Sequence, residues 1–460
     1  MDFAATVQRH RTYFQSGATR PLEFRRAQLE KLLDALEKHE AALLAGLHAD
    51  LRKSAEQAYA TEIALVQAEI RHALKNLRRW TAPKRGRTPW FVTPARGWVQ
   101  PEPFGVSLIF SPWNYPLQLL FAPLVSAIAA GNCALLKPSE LATHTADAMV
   151  KLIRENFPEE YISIATGGVD VAEALLRERF DKIFFTGGTQ AGRAVMMAAA
   201  GHLTPVTLEL GGKCPAIVCA DAPIELAARR IAWGKFMNAG QTCVAPDFVL
   251  VERSARAAFV AALQKSLGEF YGSEPSQSVD YGRIVNRRHF DRLVTYLLDG
   301  KIVHGGAYDA KELYLSPTIL TDVSPTSSVM QEEIFGPILP VLEFDKLGDA
   351  LALLRPRPTP LALYLFTRSR ATEEVVLAAA RSGGVCVNDV VSHIAGTGLP
   401  FGGLGESGMG AYHGLTGFQA FSHLRTVMRR GLWLDTPFRY PPQKLTLGAL
   451  KRAIRLLLNN

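Results

Sequence analysis

The sequence predicts an α/β protein made of two domains, each organised on a parallel sheet. Three observations predict it. Short β-rich runs alternate with helical stretches from about residue 106 to about residue 210, the pattern of βαβ units. A second such series begins at residue 216 and reaches residue 366. The composition, 48% hydrophobic and 20% charged over 460 residues, can bury large cores and excludes a disordered or collagen-like chain.

The elements follow in chain order. Leu29, Leu32, Leu33 and Leu36 recur at helical spacing, then Ile63, Val66, Ile70, Leu74 and Leu77, so residues 22–80 read as long helices. Residues 83–103 are rich in Pro, Arg and Trp and read as an excursion between elements. Strands are expected at 106–110, 134–137, 163–165 and 182–186. Residues 117–136 are nearly apolar and of bilayer-spanning length. Gln118, Pro123, Ser126, Gly131 and Asn132 interrupt that run, which favours a buried helix, a Gly-Asn turn and a buried strand. The second series places strands at 216–218, 248–251, 338–342 and 362–366, with a Pro-rich loop at 355–360. The two domains are expected to meet near residue 210.

Charge and cysteine usage narrow the function classes. Lys plus Arg is 51 against Asp plus Glu 43, a net +8 spread thinly and weighted towards the ends. That argues against a basic groove and a nucleic-acid partner. The five cysteines (Cys133, Cys214, Cys219, Cys243, Cys386) are odd in number, sparse and without a CxxC pair. Neither a disulfide framework nor a structural zinc site is indicated, no metal is expected, and a reducing, cytoplasmic compartment fits. The first residues lack the apolar core of a signal peptide.

Several short motifs carry chemical potential. The strand at 182–186 runs into Gly187-Gly188-Thr189 and, three positions after Thr189, Gly192; a helix follows. Such a turn aims backbone N–H groups at an anion, although its G-x-T-x-x-G spacing meets the dinucleotide fingerprint only in part. A plain tight turn is the bland alternative. Glu209-Leu210-Gly211-Gly212-Lys213 sets a carboxylate beside glycines that allow close backbone approach; a solvated Glu at an ordinary turn is the alternative. Asn238-Ala239-Gly240-Gln241-Thr242-Cys243 frames a thiol with small residues, which favours an exposed, reactive Cys over a buried, inert one. Pro112 and Pro116 fix the chain around Trp113-Asn114 directly after a strand, where open α/β sheets place ligands. The Asn114 amide suits a developing oxyanion; an Asx-type turn is the alternative. Lys137 and Glu140 also follow a strand and could meet ribose hydroxyls or form a surface charge pair. Glu332-Glu333-Ile334-Phe335-Gly336-Pro337 and residues 399–410 are dense in Gly, Pro and Phe.

Taken in this order, the motifs resemble the aldehyde dehydrogenase superfamily from about residue 20 to about residue 440. The pair E-L-G-G-K and G-Q-x-C is highly specific, and the ending Gly408-Met409-Gly410-Ala411-Tyr412-His413-Gly414 is similar to the class 3 branch of fatty and aromatic aldehyde dehydrogenases. The resemblance implies a Rossmann-like NAD(P)-binding domain at 1–82 and 103–210, a catalytic domain at 211–385, and bridging segments at 83–102 and 386–440 that build a homodimer. It implies Cys243 as nucleophile, Asn114 and the Cys backbone N–H as oxyanion donors, and Glu209 as the base that hydrolyses a thioester, with Glu333 competing for that last role. It implies cofactor contacts from Trp113, Lys137, Glu140, Gly187, Gly188, Thr189, Gly192, Glu333 and Phe335, and a substrate lining from Trp233, Phe401, Tyr412 and His413. Many relatives carry Ser or Asn where Gly188 stands, so a side chain near the pyrophosphate is missing. Glu140 argues for NAD, with NADP use expected as well. Glu209 favours hydrolysis to the acid over transfer to CoA, and medium or long aliphatic or aromatic aldehydes are the expected substrates. A non-catalytic binding protein on the same fold is the competing reading; retention of Cys243, Glu209 and Asn114 speaks against it.

The tail at 441–460 stands apart. Leu447, Leu450, Ile454, Leu457 and Leu458 recur at helical spacing, with Lys451, Arg452 and Arg455 between them. This short amphipathic basic helix could lie peripherally on an anionic membrane or pack on its own protein or a partner subunit.

Overall fold

All eight expected strands form, and the burial of each explains why. The runs Val106–Phe110, Cys133–Lys137, Pro215–Val218 and Ala362–Phe366 are buried at every residue. Strands covered on both faces carry unbroken apolar runs, and such strands belong to parallel sheets. The computed structural model describes residues 2–89, 92–435, 440–442 and 445–458.

The first sheet has six strands in the order Gly408–Met409, Val206–Glu209, Lys182–Thr186, Val106–Phe110, Cys133–Lys137, Ile162–Ile164. All pairings are parallel except that of the short Gly408–Met409 edge. From Val106–Phe110 the chain moves one way to Cys133–Lys137 and Ile162–Ile164, then returns to the other side with Lys182–Thr186. That reversal opens a crevice at the carboxyl ends of the strands, where doubly wound sheets bind ligands. Only residues 210–214 separate this sheet from Pro215–Val218, a strand of the second sheet. The second sheet orders Lys301–His304, Thr318–Thr321, Ile338–Phe344, Phe248–Glu252, Pro215–Val218, Ala362–Phe366 and Gly384–Val387, parallel apart from its first strand.

The long helices also form, with one informative break. Helix Leu22–Leu51 ends at Arg52, whose φ of 57° is left-handed. A short helix Ala55–Ala58 and a single π-helical turn, Tyr59–Ile63, then lead into helix Ala64–Thr81. The apolar run becomes helix Pro116–Ala130, a left-handed Gly131 and strand Cys133–Lys137, as its breakers require. Among the described residues no helix is long and apolar enough to cross a membrane.

Residues 83–103 correct the sequence reading. They are not an irregular excursion: Lys84–Gly86 and Ala95–Pro103 are strands, and Ala95–Pro103 pairs antiparallel along its whole length with Ser422–Arg430. Alternation was masked because Pro101 and Pro103 sit within the strand and its residues are only half-buried. The tail forms helix Leu447–Leu458, with Leu447, Ile454 and Leu456 exposed.

Candidate active site

The loops that leave the carboxyl ends of the first sheet's parallel strands enter one cleft of about 440 Å³. Val106–Phe110 contributes Ser111 to Asn114, and Cys133–Lys137 contributes Lys137, Ser139, Glu140 and Leu141. Lys182–Thr186 contributes Gly187, Gly188 and Ala191, and Val206–Glu209 contributes Glu209, Leu210 and Gly211. Across from them the second sheet's side supplies Cys243, His289, Glu333 and Phe335. The sequence motifs from Trp113 to Phe335 therefore converge on one crevice, whereas the run 399–410 does not line it.

One half of the cleft fits a dinucleotide. Helix Thr189–Ala200 has no side-chain cap and no acidic residue in its first turn, so its free N–H groups attract an anion such as a pyrophosphate. A Cβ built on Gly188 meets nothing within 4 Å, which leaves this turn open to the cleft. Gly192 faces inward instead: its Cβ would lie 2.6 Å from Leu210 Cδ2, so it serves close packing of helix on strand. The Thr189 hydroxyl donates to the Glu406 carbonyl at 3.2 Å. Lys137 is buried, donates to the Pro138 carbonyl at 2.9 Å and lies 3.6 Å from the exposed Glu140 carboxylate. Trp113 stands edge-to-face with Phe335 at 5.4 Å and near His289 at 5.5 Å, forming an aromatic wall. His289 carried no sequence signal; it belongs to helix Arg287–Thr295, far from every motif.

Glu333 is held with unusual care. Its carboxylate rests on Gly211, where an added Cβ would meet Oε2 at 2.0 Å, so only glycine fits. The Arg292 guanidinium donates to the carbonyls of Glu333 (3.2 Å) and Ile334 (2.8 Å). Lys213 Nζ donates to Asp247 at 2.5 Å and to the Glu332 carbonyl at 2.8 Å, while Asp247 accepts from Ile334 N at 2.9 Å. Burial, and then the Asp247 charge, push the Glu333 carboxyl up to about 8; the Gly212 N–H, Lys213 and Lys235 pull the other way.

Cys243 follows a tight turn. Asn238, Ala239 and Gly240 all have left-handed φ values (53°, 52° and 74°), and a Cβ on Gly240 would strike the Gly336 carbonyl at 2.3 Å. This strained turn leads to a thiol that lines the cleft, half-buried rather than freely exposed. Burial first, then the charges of Glu333 and Glu209, push the thiol up to about 12. Glu209 is fully buried with neither oxygen hydrogen-bonded, and burial raises its carboxyl well above the usual range. Asn114 Nδ2 donates to the Gln241 carbonyl at 3.0 Å, two residues before the thiol, so the amide is tied to the loop of the Cys. Thiol, amide donor and dry carboxyl thereby line one cleft.

The four expected substrate-lining residues lie outside this cleft. Tyr412 stacks on His413 at 4.0 Å and packs edge-on against Phe184 and Phe401. At 1% exposure it offers no surface to a substrate, which corrects its expected role: it is a core ring, whose phenol is raised first by burial and then by the charges of Glu209 and Cys243. Phe401 and His413 are also buried, His413 beside Glu69 at 3.5 Å. Trp233 is 45% exposed on helix Ile224–Phe236, whose end leads into the turn before Cys243.

Comparison with known proteins agrees with this geometry. Residues 1–427 match the model of the aldehyde dehydrogenase family. The chain is 44% identical over 436 residues to 4,4'-diaponeurosporen-aldehyde dehydrogenase of Staphylococcus aureus, covering 94% of this chain and 95% of the relative. It is 45% identical over 438 residues to a dimeric, NADP-preferring aldehyde dehydrogenase of Canis lupus familiaris, covering 95% and 97%. The substrate-bound structure of Staphylococcus aureus AldH superposes with a TM-score of 0.95 at 43% identity, covering 98% of each chain. The fold, the cleft and these likenesses agree: the chain belongs to the aldehyde dehydrogenase family and is an NAD(P)-dependent oxidoreductase.

Proposed function

We propose that the chain oxidises medium- or long-chain aliphatic or aromatic aldehydes to carboxylic acids, with Cys243 as nucleophile. The observation that carries the reading is the convergence of Cys243, Asn114 and Glu209 on the lining of one cleft. Once ionised, Glu209 accepts the thiol proton and releases it to solvent, and the thiolate attacks the aldehyde carbon to give a thiohemiacetal. The Asn114 amide and the Cys243 backbone N–H stabilise the oxyanion. A bound oxidised nicotinamide would supply the hydride acceptor, and loss of hydride from the thiohemiacetal leaves a thioester on Cys243. Glu209 then takes a proton from water, which hydrolyses the thioester and frees the thiol. Glu333, resting on Gly211, faces the cofactor and serves its ribose; Phe335 and Trp113 wall the ring side. Glu140, beside Lys137 at the cleft rim, favours NAD, and the name of the canine relative supports NADP use and a dimer as well.

NADH and NADPH formation from short, long-chain and benzaldehyde-type aldehydes, with and without CoA, tests this directly. CoA-independent turnover is expected on the long or aromatic members. Turnover confined to short aldehydes or dependent on CoA would refute the reading.

The tail is proposed to touch anionic membrane peripherally. Leu447, Ile454 and Leu456 are exposed on a helix that also carries Lys451, Arg452 and Arg455. Truncation after Pro442 is expected to abolish co-sedimentation with phosphatidylserine vesicles; unchanged sedimentation would refute the contact.

A further inference from the structure

A buried ion pair outside the cleft makes close contact with the oxyanion loop. Lys53 follows the left-handed Arg52, and Glu62 sits on the π-helical turn Tyr59–Ile63. Both side chains are 0% exposed. Lys53 Nζ donates to Glu62 Oε1 at 2.5 Å and to the carbonyl of Asn114 at 2.9 Å, and lies 4.0 Å over the Tyr115 ring. Glu62 Oε2 accepts from the backbone N–H of Leu117 at 2.9 Å and of Gln118 at 3.3 Å. Helix Pro116–Ala130 has no side-chain cap of its own, so Glu62 caps it from outside.

Lys53 Nζ and Glu62 Oε2 are thus both bonded to the loop 114–118. The same loop touches the catalytic turn at two further points. Asn238 Nδ2 donates to the Asn114 carbonyl at 2.9 Å, and the Tyr115 hydroxyl meets Thr242 Oγ1 at 2.7 Å, one residue before the thiol. A π-helical turn costs regular helix hydrogen bonding, and such turns mark functional sites. Here it delivers a carboxylate to an otherwise uncapped helix start.

We propose that Lys53 and Glu62 are positioning residues for aldehyde oxidation: the pair clamps the backbone of Asn114 so that its amide points at the oxyanion formed on Cys243. They touch neither substrate nor cofactor and act through Asn114. The inference rests on the reading of Asn114 as the oxyanion donor.

The test uses Lys53→Met, Glu62→Gln and the double variant Lys53→Met/Glu62→Gln in the full chain, with Asn114→Ala alongside. The Gln keeps an acceptor oxygen for the helix N–H groups but denies Lys53 an anion. Each folded variant is expected to lose about 100-fold in kcat, the size of effect that an ångström of misplacement produces. NADH affinity and the rate of Cys243 alkylation by iodoacetamide should stay within about twofold, because those steps do not use the amide. The double variant should be no slower than the worse single one, since the two side chains act as a unit. A purely structural role would lower the melting temperature and leave kcat of the folded protein intact. Folded Lys53→Met or Glu62→Gln with kcat within about threefold of wild type overturns the proposal. Loss of folding in both single variants would also overturn it, assigning the pair to stability alone. Wild-type kcat in Asn114→Ala would instead refute the oxyanion reading on which it rests.

Discussion

Glu209→Gln separates thioester formation from thioester hydrolysis. In the folded protein both Glu209 oxygens are buried without partners, and burial holds the carboxyl well above its usual pKa. Burial therefore favours the neutral acid, and Gln is a neutral group of the same shape. Folding stability should change by no more than about 1 kcal/mol near pH 5. Its sign at higher pH follows from linkage. The raised pKa means that the folded state binds the proton more tightly than the unfolded state does. Wild type thus loses stability as pH rises from the ordinary carboxylate range towards the raised value, and the Gln variant does not. Catalysis should suffer far more: removal of a general base costs about 10²–10⁴ in kcat, or roughly 3–5 kcal/mol of barrier. If an alternative base such as bulk water can still take the thiol proton, one NADH per active site should appear in a rapid-mixing burst, followed by slow turnover. Steady turnover within about threefold of wild type would refute Glu209 as the base. Loss of the burst together with the steady rate would place its main work in thiol activation.

Four further outcomes follow from the geometry. Gly211→Ala puts a Cβ 2.0 Å from Glu333 Oε2, so the carboxylate must retreat by 1.4 Å (3.4 less 2.0) to reach ordinary contact. The cofactor KM, read from NADH formation, should rise about tenfold. Glu140→Gln removes the exposed charge at the cleft rim and should raise the NADP-to-NAD ratio of kcat/KM about tenfold in the same assay. Lys213→Met leaves Asp247 buried without its cation, and urea denaturation should show a loss of about 3–5 kcal/mol. With Cys243 pushed up to about 12, Glu333 to about 8 and Glu209 also upward, catalysis needs protons to leave; alkylation of Cys243 by iodoacetamide should accelerate as pH rises through 8.

What the sequence revealed depended on whether one residue run carried its own reason. Val106–Phe110 and Ala362–Phe366 are apolar throughout because both faces are covered, so they were legible without any partner in view. Cys243 and Glu209 were legible because glycines that fit only close backbone approach stand beside them in the chain; Gly211 under the Glu333 carboxylate is the physical cause. Ala95–Pro103 was not legible, since its partner Ser422–Arg430 is over 300 residues away and prolines hide its alternation. The same holds for His289, which reaches the cleft from an otherwise ordinary amphipathic helix. Lys53 and Glu62 are the extreme case. In the chain they are two unremarkable charges nine positions apart, a spacing that would set them on no common face of a regular helix. A left-handed Arg52 and a π-helical turn bring them together, and their burial acquires meaning only from the Asn114 carbonyl and the bare helix start they satisfy. A charge that looks solvated in sequence is thus a reason to ask which backbone groups the fold leaves without partners, because a buried ion pair persists only where such groups complete its hydrogen bonding.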